Sequence, residues 1–178
     1  MGKKYDAINE RLVDFIIQQH IFFVATAAAD GRVNLSPKGM DSLRITSPNQ
    51  VVWLNLTGSG NETAAHLLAN DRMTLMFCAF EGEPKILRLY GHARAYTEDD
   101  PEWDAHIGRF PSLPGARQII LMNVDLVQTS CGFGVPLFDY RGDRENLREW
   151  AGKKGEAGLR AYWKERNSRS LDGKPTGF

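Results

Sequence analysis

The chain has 178 residues, 42% of them hydrophobic and 25% charged, with 22 basic side chains balanced by 22 acidic ones. This is the composition of a globular protein of about one domain, and its zero net charge argues against a nucleic-acid or anionic-membrane partner. Cys78 and Cys131 are too few and too widely spaced for a disulfide framework or a metal knuckle. With a charged N-terminus and no apolar run near the roughly 20 residues that span a bilayer, the expectation is a cytoplasmic protein.

In chain order, the first helical stripe is Ile8, Leu12, Phe15 and Ile16, which predicts a helix over Asp6–Gln19 with Asp6 as its cap. The period then changes. Ile21–Ala29 reads as a strand, Asp30-Gly31 as a hairpin turn, and Arg32–Ser36 as the return strand. Leu43–Thr46 and Val51–Leu56 form a second hairpin around Ser47-Pro48-Asn49-Gln50. Asn61–Ala69 is a short helix, and Met73–Phe80 and Lys85–Thr97 are strands joined at Glu81-Gly82-Glu83-Pro84. Acids ahead of Pro101 start a helix that runs to about Arg109, and Gln118–Ser130 is the last long strand.

From about residue 141 a helical extension is expected, with short helices near Glu145–Lys153 and Gly155–Asn167 and then a loop. It carries ten Lys/Arg against six Asp/Glu, which suits either a solvated tail or a face that recruits anions. The remaining pattern is about seven strands joined by tight turns, which excludes a parallel sheet. An α+β single domain over residues 1–178, an antiparallel barrel flanked by helices, is the predicted fold.

One stretch poses the functional question. The strand VVWLNL ends in Gly58-Ser59-Gly60, and a helix follows at once. Such a junction offers backbone N–H groups and a helix dipole to an anion. A dinucleotide turn is one reading, with Glu81 as ribose ligand, but the third glycine is Thr63 and the flanking strands belong to hairpins. The four histidines (His20, His66, His92, His106) show no paired-ligand spacing, so no metal is expected. His66 is placed on a helix surface, His92 reads as structural, and Cys131 is either structural or a nucleophile without an assignable partner.

The order of three pieces narrows the choice: a strand ending Arg32-Val33-Asn34-Leu35-Ser36-Pro37-Lys38-Gly39, the strand into Leu54-Asn55-Leu56, and the helix start Gly60-Asn61-Glu62-Thr63. With MTLMFCAF and ILRLYGHARAY they resemble the pyridoxamine 5′-phosphate oxidase-like, FMN-binding split β-barrel family. That resemblance implies an antiparallel split β-barrel, a homodimer with FMN at its interface, and oxidoreductase activity on a small molecule. The alternative is a barrel that holds flavin, haem or deazaflavin without turnover.

By position it places Ser36, Pro37 and Lys38 near the flavin ring with Leu54 and Asn55, and Ser59, Gly60, Asn61 and Thr63 near the phosphate; Arg88 is a further candidate. Lys38 is expected to stabilise charge on the reduced ring, and Trp163, Phe133 and Phe138 are candidates to line it from the partner chain. Where phosphate-binding members carry a basic Ser-Arg-Lys stretch, this chain reads Asn61-Glu62-Thr63. Backbone N–H groups, hydroxyls, Lys38 or an arginine of the other subunit must replace the lost cations. The tail also lacks the Arg-Leu ending of the vitamin B6 oxidase, which separates this chain from that enzyme.

Overall fold

The computed structural model describes residues 2–178. Its elements are β1 (Lys3–Tyr5), α1 (Glu10–Ile17), β2 (Phe22–Thr26), β3 (Asn34–Lys38), β4 (Leu43–Ser47), β5 (Gln50–Leu56) and α2 (Glu62–Ala69). They continue with β6 (Arg72–Cys78), β7 (Ile86–Tyr96), α3 (Pro101–Ile107), β8 (Ala116–Ser130) and α4 (Asn146–Tyr162), the last running into a π-helical turn, Trp163–Asn167.

The strands form one sheet in the order β3-β2-β6-β7-β8-β5-β4, with β1 also on β8. Every pairing is antiparallel. This is the predicted split barrel, and it removes the dinucleotide reading, whose crossover needs parallel strands. The 15-residue β8 is the spine. One of its edges carries β7, and the other carries β5 along its first half and β1 along its second.

Alternation along the strands builds two cores. Val24, Trp53, Leu75, Leu87, Leu89, Ile120 and Met122 point inward and are closed off by Leu12, Phe15 and Ile16 of α1. The opposite face of β5 and β8 places Val52, Leu54 and Ile119 against Phe110 and Leu113 with α3 alongside. β5 is therefore buried on both faces, which explains its unbroken apolar run. Where β7 crosses β8, a bulge falls between Tyr90 and Gly91. A Cβ on Gly91 would lie 2.0 Å from the Asn123 carbonyl oxygen, so only glycine allows the strands to approach this closely.

Several local expectations change. The first helix starts at Glu10, and its cap is Asn9, whose Oδ1 accepts the Leu12 N–H at 3.2 Å, rather than Asp6. β1 has too few residues to show a periodicity and exists because β8 leaves an edge free. Asp30-Gly31 lies in a longer connection, since β2 ends at Thr26 and β3 starts at Asn34. His66, expected on a helix surface, is 1% exposed, with Nδ1 3.0 Å from Thr26 Oγ1. The two C-terminal helices abut at Gly155, whose φ of 65° breaks the helical path. No helix among the described residues is long and apolar enough to cross a membrane.

Candidate functional site

A cavity of about 520 Å³ opens where β3, β5 and the start of α2 meet the C-terminal tail. It is lined by Asn34, Ser36 and Lys38 of β3, Asn55 of β5, the turn Gly58–Thr63, and Arg117, Arg166, Arg169, Ser170 and Leu171. Seven sequence-predicted residues thus come together here: Ser36, Lys38, Asn55, Ser59, Gly60, Asn61 and Thr63.

Three others lie elsewhere. Leu54 points away from Asn55 into the core beneath Phe110 and Leu113. Pro37 alternates with Ser36 and Lys38 and faces outward. Arg88 lies on that same outer face, on a cross-strand row of Pro37, Phe23, Met76, Arg88 and Gln128, with its Nη1 donating to Ser130 Oγ at 3.1 Å.

The cavity floor is a network of carboxamides. Asn55 Nδ2 donates to Asn61 Oδ1 (3.3 Å) and Gln118 Oε1 (3.1 Å), and Asn61 Nδ2 donates to Gln118 Oε1 (3.2 Å). All three side chains are buried, so the network fixes the start of α2 to the barrel wall. On the β3 side, Ser36 Oγ donates to Asn34 Oδ1 (2.9 Å) and Asn34 Nδ2 donates to Thr63 Oγ1 (3.2 Å). The first-turn N–H groups of α2 have no carbonyl one turn earlier to receive them. Asn61 is spent on Gln118 and makes no side-chain cap.

The charge at this site comes from a residue that strand parity conceals. β5 and β8 pair Asn55 with Gln118 and Leu56 with Ala116, so Arg117 is the extra residue of a β-bulge. The bulge lets Arg117 reach the cavity while its neighbour Gln118 bonds to Asn55 and Asn61 beneath it, where strict alternation would send the two to opposite faces. Arg117 is 4% exposed. Its Nη1 donates to the Gly60 carbonyl (3.2 Å) and to Asn167 Oδ1 (2.7 Å), while its buried Nε has no partner among the described residues.

Lys38 enters from β3 with its ammonium 4.9 Å from the centroid of Trp53. Burial first, and then the neighbouring Arg117, holds Lys38 down to about 8; burial holds Arg117 down to about 10. Both remain cationic at neutral pH. Neither has a carboxylate partner among the described residues, and the only acid in the lining, Glu62, is turned to the Leu171 N–H. The site is an electropositive cradle lined by hydrogen-bond donors.

The tail closes the cradle. Trp163 Nε1 donates to Thr57 Oγ1 (2.8 Å), Asn167 Nδ2 donates to the Gly58 carbonyl (3.2 Å), and Trp163 packs on Phe178. Arg166 and Arg169 reach the cavity from the same segment. The basic tail is therefore more than a solvated surface, and β8 and the tail of this chain bring three arginines, Arg117, Arg166 and Arg169, to the cavity. Phe133 is 82% exposed and Phe138 packs on Phe80, so neither lines the cradle of its own chain. Cys78 is buried and Cys131 exposed; both are free thiols.

The class that this split barrel and cradle define is matched by comparison with known proteins. The family profile described as pyridoxamine 5′-phosphate oxidase covers residues 8–131, and the chain belongs to that family. It is similar to the pyridoxamine 5′-phosphate oxidase family protein ustO of Aspergillus flavus, at 38% identity over 96% of this chain and 76% of the relative. Among solved structures, HupZ of Group A Streptococcus superposes with a TM-score of 0.57 at 22% identity, covering 69% of this chain and 99% of that one. A FAD-binding protein of Mycobacterium smegmatis superposes with a TM-score of 0.50 at 13% identity, covering 70% and 96%. At these identities the two structures attest the fold alone.

Proposed function

We propose that this chain binds FMN through its phosphate in the Arg117 cradle and, as a cytoplasmic homodimer, acts as an FMN-dependent oxidoreductase on a small molecule. The observation that carries the reading is a pair of cations, the buried Arg117 and the half-buried Lys38, held without a carboxylate partner beside the first turn of α2. A phosphate monoester supplies what they lack: two negative charges and several acceptor oxygens.

Each lining residue has a part in that hold. Arg117 presents its unpartnered Nε, and Lys38 adds charge at the inner end. Ser59 and Thr63 contribute hydroxyls, and the α2 N–H groups complete the shell. The Asn55–Asn61–Gln118 network holds these donors in place before any ligand arrives, so little ordering is left to the binding step. The bound flavin supplies the redox chemistry. The protein supplies position, positive charge and exclusion of water by the tail.

The homodimer reading rests on the outer face of β3, β2 and β6. Val33 and Leu35 are 74% and 62% exposed there, beside Phe23, Met76 and Pro37. An apolar sheet face of this kind calls for a cover. Pro37 and Arg88 also lie on that face, which supports a role for them at the contact between subunits.

The visible spectrum of the purified protein tests the proposal, together with mass spectrometry of what heat releases. A two-banded flavin spectrum with about one FMN per chain supports it, and bleaching by NAD(P)H supports turnover. Flavin that no nicotinamide donor reduces favours a non-catalytic binding protein. A colourless protein that takes up no added FMN overturns the cofactor assignment.

A further inference from the structure

Glu62 is the one side chain in the cradle whose charge opposes an anion. It opens α2 and lines the cavity, and a Cβ on Gly60 would lie 3.1 Å from its Oε1, so the carboxylate overhangs the turn. An acid at a helix N-terminus is drawn to the same N–H groups that hold a phosphate. Left free, Glu62 would fill the cradle itself. Instead both of its oxygens accept the Leu171 N–H at 3.0 Å.

Leu171 belongs to residues 168–178, which cross the cavity mouth as a strap. Asp172 accepts the Arg32 N–H at 2.7 Å and pairs with the Arg32 guanidinium. Lys174 Nζ donates to Asp30 at 2.6 Å, and Thr176 Oγ1 donates to the Asn167 carbonyl. Asn167 in turn bridges Gly58 and Arg117. The strap is therefore tied, through Asn167, to both the turn and the cation of the anion site, and the unpartnered, buried Nε of Arg117 marks that site independently of the helix end.

We infer that the C-terminal strap is a latch that holds Glu62 out of the anion cradle, so that strap docking and anion binding strengthen each other. The inference rests on the phosphate reading above. With the strap docked, Glu62 spends its oxygens on Leu171 and the α2 N–H groups are free. With the strap released, Glu62 loses that donor and its nearest replacements are those same N–H groups. Linkage makes the effect reciprocal: an anion in the cradle tightens the strap by the factor by which the strap tightens the anion.

The test is a double-mutant cycle on the full chain with two probes, FMN and inorganic phosphate, and with hydrogen exchange across residues 168–178 as the readout of the strap. Asp172→Ala/Lys174→Ala loosens the strap without touching a cavity-lining residue. It is combined with Glu62 or with Glu62→Gln, whose carbonyl still accepts the Leu171 N–H. Ending the chain after Ser170 removes that N–H altogether and carries the same expectation. Loosening should weaken both probes at least fivefold with Glu62 present and less than twofold with Glu62→Gln, and FMN should slow exchange in the wild-type strap. Equal weakening in both backgrounds would mean that the strap serves only to position Arg166 and Arg169, and would overturn the latch while leaving the phosphate site standing. A wild-type chain that binds neither FMN nor phosphate refutes the cradle itself.

Discussion

Replacing Arg117 with methionine separates a ligand-binding cation from a structural one. Burial holds this guanidinium down to about 10, which corresponds to a penalty of about 3 kcal/mol on its charged form in the empty cavity. The substitution also removes two hydrogen bonds, to Gly60 and Asn167, each contributing about 1.5 kcal/mol when the donor is charged. The two effects offset each other, and methionine fills most of the volume. The ligand-free variant should therefore unfold within about 1 kcal/mol of wild type.

The bound state behaves differently. There the lost partner of a buried, hydrogen-bonded charge pair costs about 3 kcal/mol, or roughly 150-fold in FMN affinity. Urea denaturation without ligand, paired with a fluorescence titration of FMN, reads both numbers. An affinity within threefold of wild type would refute the reasoning. So would a ligand-free variant destabilised by more than about 3 kcal/mol, since Arg117 would then be a pillar for the tail.

In the ligand-free chain the unfolded state keeps the Lys38 proton up to 10.5 while the folded state releases it near 8, so stability should rise with pH across that window. Lys38→Met should flatten the rise, and FMN affinity should fall as pH passes 8; a pH series of urea denaturations that is the same in both proteins would contradict this. Gly91→Ala drives a Cβ into the Asn123 carbonyl at 2.0 Å, and should cost about 2–3 kcal/mol, lowering Tm by roughly 8 °C in a chain of this size; an unchanged Tm would show that the bulge gives way freely. Leu35→Asp puts a charge on the exposed outer face of β3 and should turn a dimer into a monomer in sedimentation velocity, whereas a wild-type chain that sediments as a monomer would remove the dimer from the proposal.

Local periodicity and turn chemistry carried much of this protein's description. The apolar alternation of β2, β6 and β7, the Pro101 helix start and the strand–GSG–helix junction were legible residue by residue, because each depends on neighbours a few positions apart. The order of those pieces was enough to place the chain in its family and to bring Ser36, Lys38, Asn55 and the 59–63 turn to one site.

Tertiary structure alone settled the rest. Arg117 was invisible because one bulge reverses strand parity, and a bulge is set by the partner strand. The three-residue β1 depends on the edge that β8 leaves free. His66 is buried because α2 lies against Thr26 of β2, which no helical stripe encodes. The charge of the cradle was the largest gap: Asn61-Glu62-Thr63 carries no cation, and Arg117, Arg166 and Arg169 reach the cavity only after the chain has folded back on itself. A sequence states which charges a protein has. Where those charges meet is a property of contacts between residues more than fifty positions apart, and these exist only in the folded chain.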